Sequence, residues 1–414
     1  MSQICYVFIY LPGEQTATPA GRLIFDGHEN AYKFQYGRGF LKNQCAMPVD
    51  PLLLPLDAKP YILSPDILGS IRDAAPDGWG RLVIEKSVGR SDFNEIDYLL
   101  QPNAERVGNL DFRIAPNVPS STAEPPSVTD LPKLIEAAEA VENEEKLTPQ
   151  LRKYLPLLRQ GSSLGGARPK SVVRADDGLW LAKFPAKGDK WNNTRIEHAT
   201  MRIAALSGIH VPETKILKVC GRDILLIRRF DRNNGRTGYL SALTMLNIAE
   251  TDYKSFSYLS LADKMRKLNM GNQLQELFLR IAFNIICRNT DDHPRNHGFL
   301  IHRNVMELSP AFDITPTASI KGVSSIPFLA MALGERGKEG TLHNLLSQVG
   351  RFGLTREEGK AVFVRTQGTV RNEWEKIFSE AGVSSEDAAK FQNTFQGNFD
   401  EEKQDSCRPS FRSK

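Results

Sequence analysis

The residues richest in chemistry stand in one stretch, Arg288-Asn-Thr-Asp-Asp-His-Pro-Arg-Asn-His297, which brings carboxylates, imidazoles and carboxamides into ten positions. Asp291 and Asn296 lie five apart. That spacing suits phosphoryl transfer, in which a carboxylate orients an attacking hydroxyl and an asparagine holds Mg²⁺. A capped turn, with both side chains on backbone amides, uses the same residue types. Downstream, Leu308-Ser-Pro-Ala-Phe-Asp-Ile-Thr-Pro316 places Asp313 beyond a short strand expected to pair with Phe299 to His302, so that Asp313 faces Asn296. Mg²⁺ is a hard ion that takes one or two protein oxygens and otherwise phosphate and water, so Asn296 and Asp313 are a sufficient donor set. The other reading of Asp313 is an N-cap ahead of Thr315. His293 and His297 flank the loop, but with no cysteine and no helical i,i+4 arrangement zinc is disfavoured, and His293 is expected to hydrogen-bond the loop.

A second group lies upstream. Gln160-Gly-Ser-Ser-Leu-Gly-Gly-Ala-Arg-Pro-Lys170 is a small-residue loop in which Gly165, Gly166 and Ala167 let backbone N–H groups approach phosphates. It matches neither common phosphate-loop fingerprint, and a plain surface loop is the alternative. Lys183 follows between Leu181-Ala182 and Phe184, where a lone ammonium on an apolar strand is costly without a partner. A phosphate supplies one, with Glu197 as the carboxylate that orients the lysine; a solvated helix-surface glutamate is the competing reading. The strand Ile224 to Asp231 ends where two lobes would join, which makes Phe230 the candidate contact for an adenine.

These groups need elements to hold them. Leu274, Leu277, Phe278, Ile281, Ala282, Ile285 and Ile286 keep a 3.6-residue period, so 273–287 is expected to be a core helix delivering Asp291. Ile196, Ala199, Ile203 and Ala204 predict the helix bearing Glu197, closed by Gly208. Residues 171–174 with 179–184, and 214–219 with 224–230, read as hairpins across Asp-Asp-Gly and Cys-Gly-Arg-Asp. Near the start, Ile4 to Leu11, Arg22 to Phe25 and Lys33 to Tyr36 read as strands of a small sheet. Pro76-Asp-Gly-Trp-Gly80 reads as a turn into a short helix, and 131–146 as an acidic helix. The Pro/Ser/Thr-rich stretch from Pro116 to Thr129 reads as a linker.

Composition narrows the class. With 414 residues, 41% apolar and 25% charged, the chain can bury two to three domain cores, and its longest apolar runs fall far short of a membrane span. Met1-Ser2-Gln3 opens no basic and apolar leader, so a cytoplasmic protein with no membrane partner is expected. Five scattered cysteines without Cys-x-x-Cys argue against a disulfide framework. The net charge of +4 divides into −8 over residues 1–150 and +12 over 151–414, so the basic half is the one suited to a nucleotide or to nearby nucleic acid.

The order of Gly/Ser loop, strand lysine, helix glutamate, hinge, Asp-x-x-x-x-Asn and a last Asp resembles a kinase. More narrowly it is similar to the HipA-type serine/threonine kinases, toxins of bacterial toxin–antitoxin pairs. The matching stretches are Ser162 to Lys170, Leu181-Ala-Lys-Phe-Pro185, Arg229-Phe-Asp-Arg232, Thr290 to Asn296 and Leu308 to Ile314, with Asp73 to Arg81 and Arg106 to Phe112 before them. The resemblance runs from about residue 5 to 400. It implies an α+β, two-lobed protein-kinase-like fold with a β-rich N-terminal subdomain (1–116), a linker (117–130), a kinase N-lobe (131–232), a mostly helical C-lobe (233–400) and a tail (401–414). It further implies ATP and Mg²⁺ as cofactors, Asp291 as catalytic base, Asn296 and Asp313 on the metal, and Lys183 on ATP phosphates. Ser163, or adjacent Ser162, becomes the autophosphorylation site whose modification ejects the loop. A small helix-turn-helix antitoxin (HipB-like) is the implied partner, with DNA reached through it, and aminoacyl-tRNA synthetases are among the family's targets. Arg295 and Arg228 depart from the family pattern, as do Asp292 beside the base and the basic tail with Arg408, Arg412 and Lys414. Two other readings stay open: a kinase-like scaffold acting as an antitoxin-bound co-repressor, and a small-molecule kinase.

Overall fold

The structure is a computed structural model that describes residues 3–66, 68–101, 103–121, 124–160, 163, 166–233, 235–303, 305–319 and 326–397. Ser162, Gly165 and the basic tail therefore lie outside the described residues. The fold is α+β, rich in strands toward the N-terminus and helical toward the C-terminus. Contacts gather the chain into two units, one of residues 1–190, 212–250 and 298–309, the other of 191–211, 251–297 and 310–414. The expected subdomain 1–116 lies wholly, and the expected lobe 131–232 mostly, in the first unit.

Among the described residues the first unit carries three antiparallel sheets. Strands β1 (Gln3–Ile9), β2 (Thr18–Asp26), β3 (Ala31–Tyr36), β4 (Tyr61–Leu63) and β5 (Leu110–Arg113) make a five-stranded sheet in the order β4-β3-β2-β1-β5. Their alternation sends Cys5, Val7 and Ile9 to one buried face together with Leu23, Phe34 and Phe112. At Gly21 the sheet admits no side chain, since a Cβ there would stand 2.4 Å from the Gln35 carbonyl oxygen. A four-stranded sheet follows from β6 (Lys170–Ala175), β7 (Gly178–Lys183), β8 (Thr214–Val219) and β9 (Arg222–Arg228), in the order β6-β7-β9-β8. Its two hairpins are those expected from the turn residues. The third sheet joins β10 (Gly238–Ser241), β11 (Gly298–His302) and β12 (Val305–Leu308), with Phe299 opposite Leu308, the pairing anticipated ahead of Asp313.

Helices α1 (Gly78–Val88) and α2 (Leu131–Glu142) share one core with the four-stranded sheet: Trp79 and Val83 pack in the same cluster as Leu134, Trp180 and Phe184. The expected linker is tied down on both sides of its centre. Ser120 accepts from Arg113 and donates to Asp111, while Pro126 accepts from the Arg174 N–H at 2.7 Å.

The second unit is built on α3 (Asn193–Leu206), α4 (Tyr258–Lys267), α5 (Leu274–Ile286), α6 (Arg356–Glu380) and α7 (Ser385–Phe395). Both α3 and α5 pack along α6, and α5 buries Leu277, Phe278, Ile281 and Ile285 completely. Among the described residues no helix is long and apolar enough to cross a membrane.

Candidate functional site

Helix α5 ends in a way that aims the reactive loop. Arg288 takes a left-handed backbone (φ 55°), its N–H bonds the Ile285 carbonyl, and the Asn289 N–H returns to Asn284 at 2.9 Å. This pair of bonds reverses the chain directly off the most deeply buried helix of the unit. Asp291 is then held through its backbone. Its carbonyl accepts from the His293 N–H at 2.8 Å and from Asn296 Nδ2 at 3.2 Å, while the residue as a whole stays exposed.

Asp292 takes the opposite orientation. It is buried and accepts hydrogen bonds from the Tyr258 hydroxyl, from Asn284 Nδ2 at 2.7 Å and from His297 Nε2 at 2.8 Å. Burial alone would raise its pKa, but the charge and hydrogen bonds of His297 and the Tyr258 hydroxyl prevail and hold it below the usual carboxylate value. Asp291 shifts the other way. Partial desolvation raises it first, His293 opposes, and the carboxylates of Asp313 and Asp292 add to the rise. The two adjacent aspartates are thus divided into an accessible, less acidic group and a buried anion that anchors the loop.

Asp313 reaches this place through the segment after β12. The Ala311 N–H bonds the His210 carbonyl at 2.8 Å, and the Thr317 N–H bonds the Arg288 carbonyl at 3.1 Å. Residues 311–319 form neither helix nor strand, so no helix follows for Asp313 to cap. It stands instead at φ 59°, a backbone region that non-glycine residues occupy mainly where the surroundings hold them there. Asn296 is buried in a 3₁₀ turn, with its amide nitrogen on Asp291 and its side-chain oxygen the donor of the type Mg²⁺ accepts. Asp313 and Asn296 are hard oxygen donors that fit that ion. Among the described residues no group of three His, Cys, Asp or Glu is placed to hold a metal. His293 bonds the loop through its backbone, on Asp291 and Asn296, while its ring Nδ1 is buried with no hydrogen-bond partner among the described residues.

In the first unit, the phosphate-loop candidates meet a second set of anchors. Ser163 is buried, its hydroxyl oxygen accepting from the Val107 N–H at 2.7 Å. Gly166 has φ 89°, a value that suits glycine, and its carbonyl accepts from Lys170 Nζ at 2.8 Å. Ala167 lies against Gly78, and Arg168 bonds both oxygens of Asp189. Lys183 ends β7, nearly buried, directly opposite Lys170 on β6. Glu197 is a buried residue of α3 in the second unit. Phe230 follows β9, half-buried, between Arg229 and Asp231.

Several organising residues escaped the sequence reading. Asp231 is buried, accepts from Arg229, Arg232 and the Gly108 N–H, and those arginines hold its pKa far below the usual value against the effect of burial. Asn284 was the visible clue on α5, a polar residue set among apolar ones in a buried helix. Asp77, ahead of Gly78-Trp79-Gly80, carried the pattern of a helix N-cap, and it does accept from the Gly80 N–H at 2.8 Å.

Comparison with known proteins places these features in a family. The HipA-like C-terminal domain matches residues 162–374, and the HipA N-terminal domain matches residues 14–113. Two curated proteins are 24% identical: “Putative kinase” from Haemophilus influenzae over 53% of this chain, and “Putative kinase Y4mE” from Sinorhizobium fredii over 38%. The matches span 65% and 38% of those proteins' own lengths. The HipA chain of a Shewanella oneidensis toxin–antitoxin complex with HipB and operator DNA superposes with a TM-score of 0.68 and 17% identity, over 94% of this chain and 95% of that one. With both domains of the family present in order along one such fold, the chain belongs to the HipA family.

Proposed function

We propose that this protein is an ATP- and Mg²⁺-dependent serine/threonine protein kinase acting as a HipA-type toxin in the cytoplasm. The observation that carries the reading is the grouping of Asp291, Asn296 and Asp313 around one loop: Asn296 is bonded to the Asp291 carbonyl and the Asp313 charge acts on the Asp291 carboxylate. In the proposed reaction a substrate hydroxyl gives its proton to Asp291 as its oxygen attacks the γ-phosphorus of ATP. The bond from that phosphorus to the β–γ bridging oxygen breaks, and ADP leaves. Mg²⁺, held by Asn296 and Asp313, supplies charge neutralisation at the phosphate oxygens. Lys183 is assigned to the ATP phosphates, Glu197 to orienting that lysine, Gly165, Gly166 and Ala167 to the phosphate loop, Phe230 to the adenine and His293 to the nucleotide side of the loop.

Ser163, with Ser162 beside it, is the proposed autophosphorylation site. Because the Ser163 oxygen is buried on the Val107 N–H, a phosphate there cannot be accommodated in place, and the loop must leave. The proposed partners are a HipB-like helix-turn-helix antitoxin, DNA reached through it, and a protein substrate of the aminoacyl-tRNA synthetase class.

The test is intact-mass analysis of dephosphorylated protein incubated with Mg²⁺ and ATP, with Asp291→Ala beside it. Wild type is expected to gain phosphate on Ser163 or Ser162 and the variant to gain none. Wild type that binds ATP but labels neither itself nor a cell lysate would leave the antitoxin-bound co-repressor scaffold as the better reading.

A further inference from the structure

We propose that Asp77, with Trp79, is a positioning residue that clamps the exit of the phosphate loop, so that the N-terminal part of the chain sets the geometry at which ATP phosphates are bound. The inference rests on the kinase reading above for its catalytic consequence, but the clamp itself is a feature of the first unit.

Four contacts converge on the short stretch from Gly166 to Lys170. Asp77 Oδ2 receives Lys170 Nζ at 3.0 Å, and both side chains are almost wholly buried. The same ammonium donates to the Gly166 carbonyl at 2.8 Å, so the ion pair is also tied to the loop backbone. Trp79 Nε1 donates to the Lys170 carbonyl at 3.0 Å. Gly78 lies so near Ala167 that a Cβ built on it would be 3.8 Å from the Ala167 Cα. Asp77 is itself fixed, because its other oxygen caps α1 through the Gly80 N–H.

Charge explains why an aspartate is needed there. Lys170 and Lys183 are cross-strand partners in an antiparallel pair, so both ammonium groups project from one face of the sheet. Like charges at opposed positions repel, and a buried ammonium without a counter-charge is strongly disfavoured. Asp77 supplies the counter-charge that the buried Lys170 needs at this position. Removing the Asp77 charge takes this counter-charge from the buried Lys170 ammonium, which also holds the Gly166 carbonyl, and lets the Gly166 to Lys170 backbone relax. Loop amides that have lost their positions bind the nucleotide less well in ground and transition state alike, so the effect belongs in KM for ATP rather than in kcat.

The experiment uses the full chain carrying Asp77→Asn, and separately Trp79→Phe, which keeps the aromatic packing and deletes only the indole N–H. Thermal melts set a temperature at which each variant is fully folded. Hydrogen exchange is then followed in residues 166–174 against the β8–β9 hairpin, and KM for ATP and kcat are measured for phosphate transfer. Asp77→Asn is expected to raise exchange in 166–174 and KM for ATP by roughly tenfold or more, with kcat within about twofold and the hairpin unchanged. Trp79→Phe is expected to move both readouts in the same direction by less. Exchange unchanged in 166–174, or raised equally in the hairpin, overturns the clamp. So does a fall in kcat at unchanged KM. If wild type transfers no phosphate, the kinase reading fails by itself, and the exchange comparison still decides the clamp.

Discussion

Two neighbouring aspartates in the reactive loop carry opposite electrostatics, and pH should separate them. The raised pKa of Asp291 means that its ionised form, the form a base requires, is lost as pH falls through a value above the ordinary 3.8. Asp292 and Asp231 are shifted below 3.8, so the stability they supply is fully present above that value and is lost only as pH falls through their lower folded values. Phosphate transfer is therefore expected to fail at a higher pH than unfolding, seen as an acid limb in kcat/KM that precedes the loss of circular dichroism. Coincident limbs would contradict this. Asp292→Asn should cost about 2–4 kcal/mol in urea unfolding, since the neutral side chain brings its own donors against those of Tyr258, Asn284 and His297. Nothing in the sequence distinguished Asp291 from Asp292 by burial. Adjacent residues in a loop point where local turns send them, and it took the fold to bury one.

At the scale of elements, α5 was legible almost to the residue: apolar positions at a 3.6-residue period anticipated 273–287, and the helix runs from Leu274 to Ile286. Its burial makes it a rigid mount for the loop. Asn284 joins the two, donating to Asp292 and accepting from Asn289 Nδ2 at 3.1 Å. Asn284→Ala is expected to lower stability by about 1.5–3 kcal/mol, the range of a hydrogen bond to a charged group, and to lower kcat with KM for ATP little changed. A variant that melts like wild type would remove Asn284 from the mount. The hairpins of the four-stranded sheet were legible too, from Asp-Asp-Gly and Cys-Gly-Arg-Asp, although the turns close to the two-residue pairs Asp176-Asp177 and Cys220-Gly221. The tying down of the expected linker was not, since a Pro/Ser/Thr-rich composition shows only that a segment lacks a period of its own.

For the whole molecule, the N-terminal 116 residues are not an appendage of the first unit. Trp79 and Val83 complete the core beneath Trp180, Asp73 receives the Ser241 N–H and hydroxyl at 2.7 Å each, and Arg229 donates to the Glu105 and Arg106 carbonyls. A chain beginning at residue 117 would leave Asp231 without its Gly108 donor, Lys170 without Asp77, and an apolar core face open to water. It is expected to aggregate on size-exclusion chromatography and to show no cooperative melt. A monodisperse, cooperatively melting fragment would make the N-terminal region a separable domain.

The sequence by itself determined the family, the α+β class, the strand that carries Lys183, the helix that precedes Asp291, and the candidate set Asp291, Asn296 and Asp313. The elements and the candidate set are properties of local periodicity and residue spacing, which the chain states in one dimension, while the family and the class were read from the resemblance of its motifs to HipA-type kinases. Only the tertiary structure decided which charges are neutralised by which: Asp77 with Lys170, Asp231 with Arg229 and Arg232, and Asp292 with His297. The first of these pairs spans 93 positions, and its existence depends on two elements being packed until water is excluded between them. The pairing of buried charges follows from that exclusion, because an ion can remain in a low-dielectric interior only where the fold has delivered its counter-ion.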